Sequence, residues 1–475
     1  MDVDTADKSL FEEEGSSLVT VLIIITILSL LIGSVMMGLM MQNRFVQRDA
    51  DRLQARYSAE AGIFHFLSDT AFSNLLADDS LQVQLIDSTR HSIIDIRPFG
   101  GFLQITSTAQ EGSQSKTIRT LAGEKASSPF QQAVVLGDIH SALNLTGNTN
   151  IEGDITTGPP GVRQRPFKGE LFKGSLDGKI NQEEKTFLPE FDKTLFDYEI
   201  AYCDSLLRHP PPEAIILDSG KIDLSRQLPE FGEPALFYTS GDLELTTSSL
   251  SAGGRTSSGA ELPEAITLIV TGNLTIEGTV TYKPFSRFIA GKDLTVSGKP
   301  EGNHGLFYAG RELVIEGEKP LSGQFLAGEN ITVTGNMHLK YPSVAYLKGL
   351  TEQGVRKGRL ELSGNSIVEG LLMIPAPEEV INEDDTRLVI GKGSGILGGI
   401  YNTGQTELHG KVSGSVLTLQ FYFYHSPTAY INWLKDVSIS LKDRPDNFVV
   451  PIGFAEKSKY ELLTWQELPA ENQRK

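Results

Sequence analysis

The chain has 475 residues and carries 60 acidic against 42 basic side chains, a net charge of −18. That balance disfavours nucleic acid as a partner, because binding phosphates takes clustered Lys and Arg. A single cysteine, Cys203, excludes an internal disulfide and a cysteine-based metal site, and 47 glycines point to a turn-rich β protein of two or three domains.

Residues 1–15, MDVDTADKSLFEEEG, form a short acidic leader with Lys8 as its only base. Leu18 to Met41 follow, 24 residues without a charge. As a helix this run spans roughly 36 Å, enough for a hydrocarbon core of about 30 Å. A secretory signal fits poorly. The apolar run exceeds the usual 7–15 residues of about such a signal, no small-residue cleavage site follows, and the preceding flank is acidic. The run therefore predicts a retained single-pass anchor with membrane lipid as its partner, inside a transmembrane and extended helix over 16–70. Past the membrane, Val46, Ala50, Leu53, Tyr57, Ala61 and Phe64 recur at spacings of three and four as one apolar stripe. Arg44, Arg48, Arg52 and Arg56 recur every four residues beside it, placed to snorkel to headgroups or to form a solvated face.

The polar leader ending in Gly15, the apolar helix, the arginine stretch and an Ala-Glu-Ala-Gly at Ala59–Gly62 come in that order. This N-terminus resembles type IV pilins and pseudopilins, PilX-like minor pilins in particular. The resemblance covers roughly the first quarter of the chain. It implies that a prepilin peptidase cuts between Gly15 and Ser16 and that the helix packs with other pilin-like subunits. It places the body on the periplasmic or cell-surface side of the inner (cytoplasmic) membrane. The sequence departs from the family pattern at two places. Glu12, Glu13 and Glu14 stand where most leaders are basic, and Thr20 stands where the fifth mature position usually carries Glu, a departure shared with tip-located K-type pseudopilins of type II secretion. One physical signal points the other way: four arginines follow the apolar run and one lysine precedes it, so the positive-inside rule leaves the body in the cytoplasm.

Residues 71–125 read as a small antiparallel β unit. SIIDIRPF, the Gly100-Gly101 turn and FLQITSTAQ make a hairpin, and KTIRTLAG adds a strand. A repeat then begins. Gly272, Gly291, Gly310 and Gly328 are spaced by 19, 19 and 18 residues. Three residues before them stand Ile269, Phe288, Phe307 and Phe325. After them come LTIEG, LTVSG, LVIEG and ITVTG, each with its first and third residues on one face. Tyr238 to Gly241 and Tyr401 to Gly404 fit the same frame. A period near 19 predicts stacked turns that bury their faces only against one another. The fold expected is mainly β: an N-terminal transmembrane helix, the small antiparallel unit, then an interrupted right-handed parallel β-helix (β-solenoid). First solenoid turns are expected over 126–155, an irregular and helical insertion over 156–235, the main solenoid over 236–436, and a C-terminal strand and tail over 437–475 that caps the solenoid's open edge. The insertion's helix is expected at about Glu183 to Leu207, with Phe187, Phe191, Leu195 and Tyr198 on one side and Cys203 as a buried apolar residue.

Chemistry is nearly absent. The sequence holds no HExxH, GxSxG or Walker motif. Parallel β-helices host polysaccharide hydrolases, whose reaction needs two facing carboxylates. The best cluster, Glu383-Asp384-Asp385, reads instead as a charged loop. Asp138 and Asp154 follow glycines and read as turn formers, and His304, His338 and His409 fall at corners or strand ends. No catalytic residue, metal or cofactor is expected. In FYFYH, Phe421 and Phe423 share one strand face and Tyr422 and Tyr424 the other, so the tyrosines either pack under the tail or present an aromatic surface to a glycan or neighbouring subunit. These features together predict a non-enzymatic, membrane-anchored minor pilin or pseudopilin-like protein. It would belong to a type IV pilus or type II secretion-like assembly and project a β-solenoid for structural or adhesive contact. The alternatives are a bactofilin-like scaffold tethered to the membrane and a polysaccharide-binding or polysaccharide-degrading β-helix.

Overall fold

The structure, a computed structural model, describes residues 10–68, 80–84, 91–185, 188–221, 235–246, 260–261, 265–278, 280–318, 320–377, 381–445, 447–454 and 459–468. The chain forms two compact units. One comprises residues 1–95, 106–119 and 466–475; the other comprises 96–105 and 120–465.

The first unit is built on helix α1, Leu10–Ser68, 59 residues without a break. Strand β1 (Ser80–Gln84) pairs antiparallel with β2 (His91–Phe99). Next in order lie β3 (Phe102–Glu111) and β4 (Gln114–Lys125), and the chain's last described strand, Gln466–Leu468, pairs antiparallel with residues 117–119. The expected hairpin, its Gly100-Gly101 turn and the third strand are all present. Gly100 sits at φ +61, a left-handed conformation that glycine adopts at no steric cost.

The second unit is a large parallel sheet wound into stacked turns. Between residues 268 and 345 each turn returns to the same ladder after 18 to 20 residues: Leu268 pairs with Phe288, Phe288 with Phe307, Phe307 with Phe325 and Phe325 with Ala345. In the next ladder Leu274, Leu294, Leu313 and Ile331 stand in register, as the aliphatic repeat requires. Inside the turns the rings of Phe288, Phe307 and Phe325 stack at 5.0 and 5.2 Å, close to the spacing of neighbouring strands of about 4.8 Å. The ladder that carries these rings is buried on both faces. Its outward residues, among them Ile269, Ile289, Tyr308, Leu326, Tyr346 and Met373, form a second core with Phe99, Phe102, Phe196 and Phe454. Burial on both faces explains why its strands read as largely apolar runs (ITLIV, VAYL) rather than as alternating ones.

The glycine frame slips by one residue at its first turn. Leu268, not Ile269, lies in register with Phe288, and Ile269 belongs to the outer core. Thr271, not Gly272, neighbours Gly291, whose added Cβ would stand 2.4 Å from the Thr271 carbonyl oxygen. The corner accepts glycine at either of two positions, and a one-residue slip moves a side chain to the other face of a strand.

The order of the turns in the stack is not their order in the sequence. Val134 pairs with Val416, Asn144 with Trp433 and Asn150 with Ser438, so the first turns lie directly on the last. The stack then continues through Ile155 to Ile180 and from Asn150 to Ser175. At its other end, Ile215 pairs with Phe237. The segment between Gln182 and Ile215 is therefore a return connection running from one end of the stack to the other. It contains helix α2, Thr194–Arg208. The helix starts at Thr194, later than the sequence pattern predicts, because Pro189 disfavours helical backbone at Leu188 and Asp192 Oδ1, accepting the Thr194 backbone N–H at 3.0 Å, sets its entrance. Its buried face is Leu195, Phe196, Glu199, Ile200, Cys203 and Leu206; Tyr198 is half exposed, and Phe187 lies outside the described residues. Among its described residues the tail does not cap the stack's open edge. Ser438–Ser440 lies within the stack, while Val449–Val450 and Tyr460–Leu462 pair with residues 122–125 of β4.

Candidate functional site

The first candidate surface is α1 itself. Leu18 to Met41 are exposed throughout, with Leu18 at 71% and Met41 at 56%. The Thr26 hydroxyl donates to the Leu22 carbonyl at 2.7 Å, so even this polar group finds its partner inside the helix. The helix is long and apolar enough here to cross a membrane. Gly15 and Ser16 lie on its first turns.

Beyond the apolar run the helix has two distinct faces. Ala55, Ser58, Ala59, Gly62, Ile63 and Phe66 are buried. At Gly62 an added Cβ would stand 2.1 Å from Ser92 Oγ and 2.9 Å from Ser107 Oγ, so the small residues let the helix lie close on its sheet. The Ala-Glu-Ala-Gly motif thus has a packing role, with Ala59 and Gly62 at the sheet. Glu60 lies to the side and takes the Arg56 guanidinium at 3.0 Å; Arg56 also reaches Glu467 at 3.1 Å, and Lys116 reaches Glu467 at 3.5 Å. The stripe that the periodicity singled out is the opposite face: Val46 is 61% exposed, Leu53 53% and Tyr57 63%. A period of 3.6 identifies an apolar face without naming what covers it, and here the sheet takes the small residues instead.

On the body, FYFYH ends the strand Lys411–His425, which turns back antiparallel into Thr428–Ile431. Phe421 and Phe423 point inward as expected. Phe167, on a tight turn with Lys168 and Gly169 at positive φ, packs edge-on against Phe423, His425, Tyr430 and Trp433 at 5.2–5.7 Å. That cluster clamps the hairpin to the end of the stack and was not legible in sequence, since Phe167 is more than 250 residues from its partners. The two tyrosines differ. Arg387 stacks over Tyr422 at 3.9 Å and covers a ring face, whereas Tyr424 is 50% exposed.

The acidic cluster lies in a strand, Glu383–Ile390, rather than in a loop. Asp384 meets the buried Arg356 at 3.4 Å, and Asp385 meets Arg387 at 3.6 Å. Arg356 Nε donates to the Lys348 carbonyl at 3.0 Å and Nη1 to the Pro375 carbonyl at 2.8 Å, which makes it a cross-link between turns. Asp138 accepts from the His140 N–H within its own turn and from the Asn432 amide of a neighbouring layer, and Asp154 accepts from the Lys179 N–H of the next layer. His338 pairs with Glu369 and His409 with Glu407; the His409 hydrogen bond holds the Glu407 carboxyl below its ordinary range. Burial pushes the Cys203 thiol well up, away from the reactive thiolate. Among the described residues no group of three His, Cys, Asp or Glu side chains is placed to hold a metal ion.

Residues 14–64 match the family described as PilX N-terminal. The N-terminus of the chain is therefore type IV pilin-like, and the match spans the apolar run, the arginines and the Ala-Glu-Ala-Gly motif. Among solved structures the chain is similar to the competence-associated pilin ComZ from Thermus thermophilus, at 11% identity and a TM-score of 0.24, over 88% of this chain and 97% of that one. No curated protein matches the chain.

Proposed function

We propose that this chain is a membrane-anchored, low-copy pilin-like subunit of a type IV pilus or type II secretion-like assembly, with a structural rather than an enzymatic role. One observation carries the reading. The PilX-like residues coincide with a helix that is uncharged and exposed over 18–41 and then lies on a small sheet through Ala55, Ala59 and Gly62. In this reading a prepilin peptidase cuts between Gly15 and Ser16, and the helix joins those of other pilin-like subunits. The exposed stripe of Val46, Leu53 and Tyr57 extends that contact beyond the bilayer. The stack of turns projects on the periplasmic or surface side as a structural or adhesive body, with Tyr424 as its candidate contact residue for a glycan or neighbouring subunit. Size favours a capping or low-copy place, because a body this large on every subunit would crowd a helical shaft.

The test is quantitative: the amount of this chain in purified filaments relative to the main subunit, with its position located by immunogold labelling. A trace amount, clustered at filament ends, is expected. Stoichiometric labelling along the shaft would contradict the proposal.

A cytoplasmic scaffold is the second reading, favoured by the arginines that follow the apolar run. A polymerising scaffold needs ends that accept another copy. Here the strands at one end of the stack, Val162–Gln164, Ser175–Asp177 and Ile180–Gln182, have three residues each and carry or adjoin Arg163, Lys173, Asp177 and Lys179. Short charged edges discourage pairing with another chain, which supports the pilin-like reading over the scaffold.

A further inference from the structure

The four arginines beyond the apolar run divide into two kinds. Arg56 is held in the fold by Glu60 and Glu467. Arg44, Arg48 and Arg52 are exposed and lie between Met41, the last residue of the uncharged run, and Ala55, where the buried face of the helix begins beyond that run. At about 1.5 Å per residue they stand roughly 4, 10 and 16 Å beyond Met41. The headgroup layer on each side of a bilayer is about 5–7 Å deep.

Helical side chains lean toward the helix N-terminus, here back toward the membrane. A long arginine stem can follow apolar surface while its guanidinium stays among polar groups. Arg44 and Arg48 thus reach headgroup phosphates directly, and Arg52 lies within about one Debye length of roughly 8–10 Å. At 3.6 residues per turn the three fall within roughly a quarter of the helix circumference, on the side that further along carries Ala55, Ala59 and Gly62. Val46, Leu53 and Tyr57 occupy the opposite side. A helix docked on the apolar face therefore leaves the arginines turned toward lipid. Of the nearby acids, Asp49 is on the flank. Asp51 shares the arginine side, but its carboxylate accepts from Gln47 at 2.9 Å and lies against Gly112.

We infer that Arg44, Arg48 and Arg52 form a binding surface for the headgroups of anionic phospholipid on the exit side of the bilayer, fixing the depth at which the helix sits. The inference rests on the membrane-anchored reading above. Each arginine near an anionic surface strengthens attraction by about fivefold, so removing all three weakens the preference for anionic lipid on the order of 100-fold.

The experiment uses the full chain reconstituted into phosphatidylcholine vesicles that contain or lack phosphatidylglycerol. Flotation reports anchoring, and spin-labelled lipids report which headgroup is enriched at the protein. The wild type is expected to float with both kinds of vesicle and to enrich phosphatidylglycerol, less so at high salt. R44Q/R48Q/R52Q is expected to float equally well and lose the enrichment, and R56Q to keep it. A wild type that floats without preferring phosphatidylglycerol, or a triple variant that keeps the preference, overturns the inference and leaves the anchor standing. A chain that does not float overturns both. Loss of enrichment on adding inorganic phosphate at constant ionic strength would assign the arginines to a free anion instead of a lipid.

Discussion

At the scale of single residues, three side chains show what the fold demands. Gly62 is required by distance, since a Cβ there meets Ser92 and Ser107. Gly62→Val should lower the stability of the first unit by about 1–3 kcal/mol, read as a fall in its unfolding midpoint. Arg287 meets the buried Glu199 of α2 at 3.1 Å, and its Nη2 donates to the Pro98 carbonyl at 3.2 Å. Arg287→Ala leaves a carboxylate among apolar groups and should cost about 3–5 kcal/mol in denaturant unfolding, whereas the double variant Arg287→Met/Glu199→Leu should recover most of that loss. His304 is largely buried, and burial lowers its pKa from 6.5 to about 4. The unfolded chain therefore binds a proton between these values that the folded chain does not, so stability is full above pH 6.5 and falls as the pH drops toward 4. The loss reaches about 3 kcal/mol, at 1.36 kcal/mol per unit. His304→Asn suits the left-handed backbone at φ +53 and removes the titration. Its stability should be flatter than the wild type's across that window, and parallel acid profiles would show that His304 has no part in the acid response.

Among the elements, legibility followed the range of the contact. The apolar run was readable from its uncharged length, and the Gly100-Gly101 hairpin and the aliphatic strands Leu274, Leu294, Leu313 and Ile331 because each repeats a local pattern of period 2 or a fixed spacing. The face of α1 that meets the sheet was not, because Ala55, Ala59 and Gly62 carry almost no hydrophobic signal and are chosen for closeness. The strand at 180–182, inside the expected insertion, was not legible because it is defined by pairing with residues 155–157, a contact no local pattern announces. The same holds for Phe167, whose aromatic partners come from the far end of the sequence. Tyr422 and Tyr424 were legible as an alternating pair, but only the structure separates the one under Arg387 from the exposed one.

For the whole molecule, the closure of the stack by its own beginning has a consequence for folding. In an ordinary repeat array each turn contacts only its sequence neighbours, and removing the last turn costs one interface. Here the turns at 133–136 and 150–152 rest on residues 416–418 and 438–440. A chain ending at residue 410 should therefore lose the turns over 133–182 as well as its own end, seen as new proteolytic cleavage within 133–182 and loss of cooperative unfolding. Cleavage confined to the new C-terminus would mean that the early turns stand without their late neighbours.

Assembly of this chain as a pilin-like subunit depends on what happens at Gly15. The most direct test is mass spectrometry of the N-terminal peptide of the native protein extracted from membranes. A chain that begins at Ser16 with a methylated α-amine is expected. An intact leader, beginning at Met1 or Asp2, would contradict it and turn the arginines after the apolar run into an argument for a body that stays in the cytoplasm.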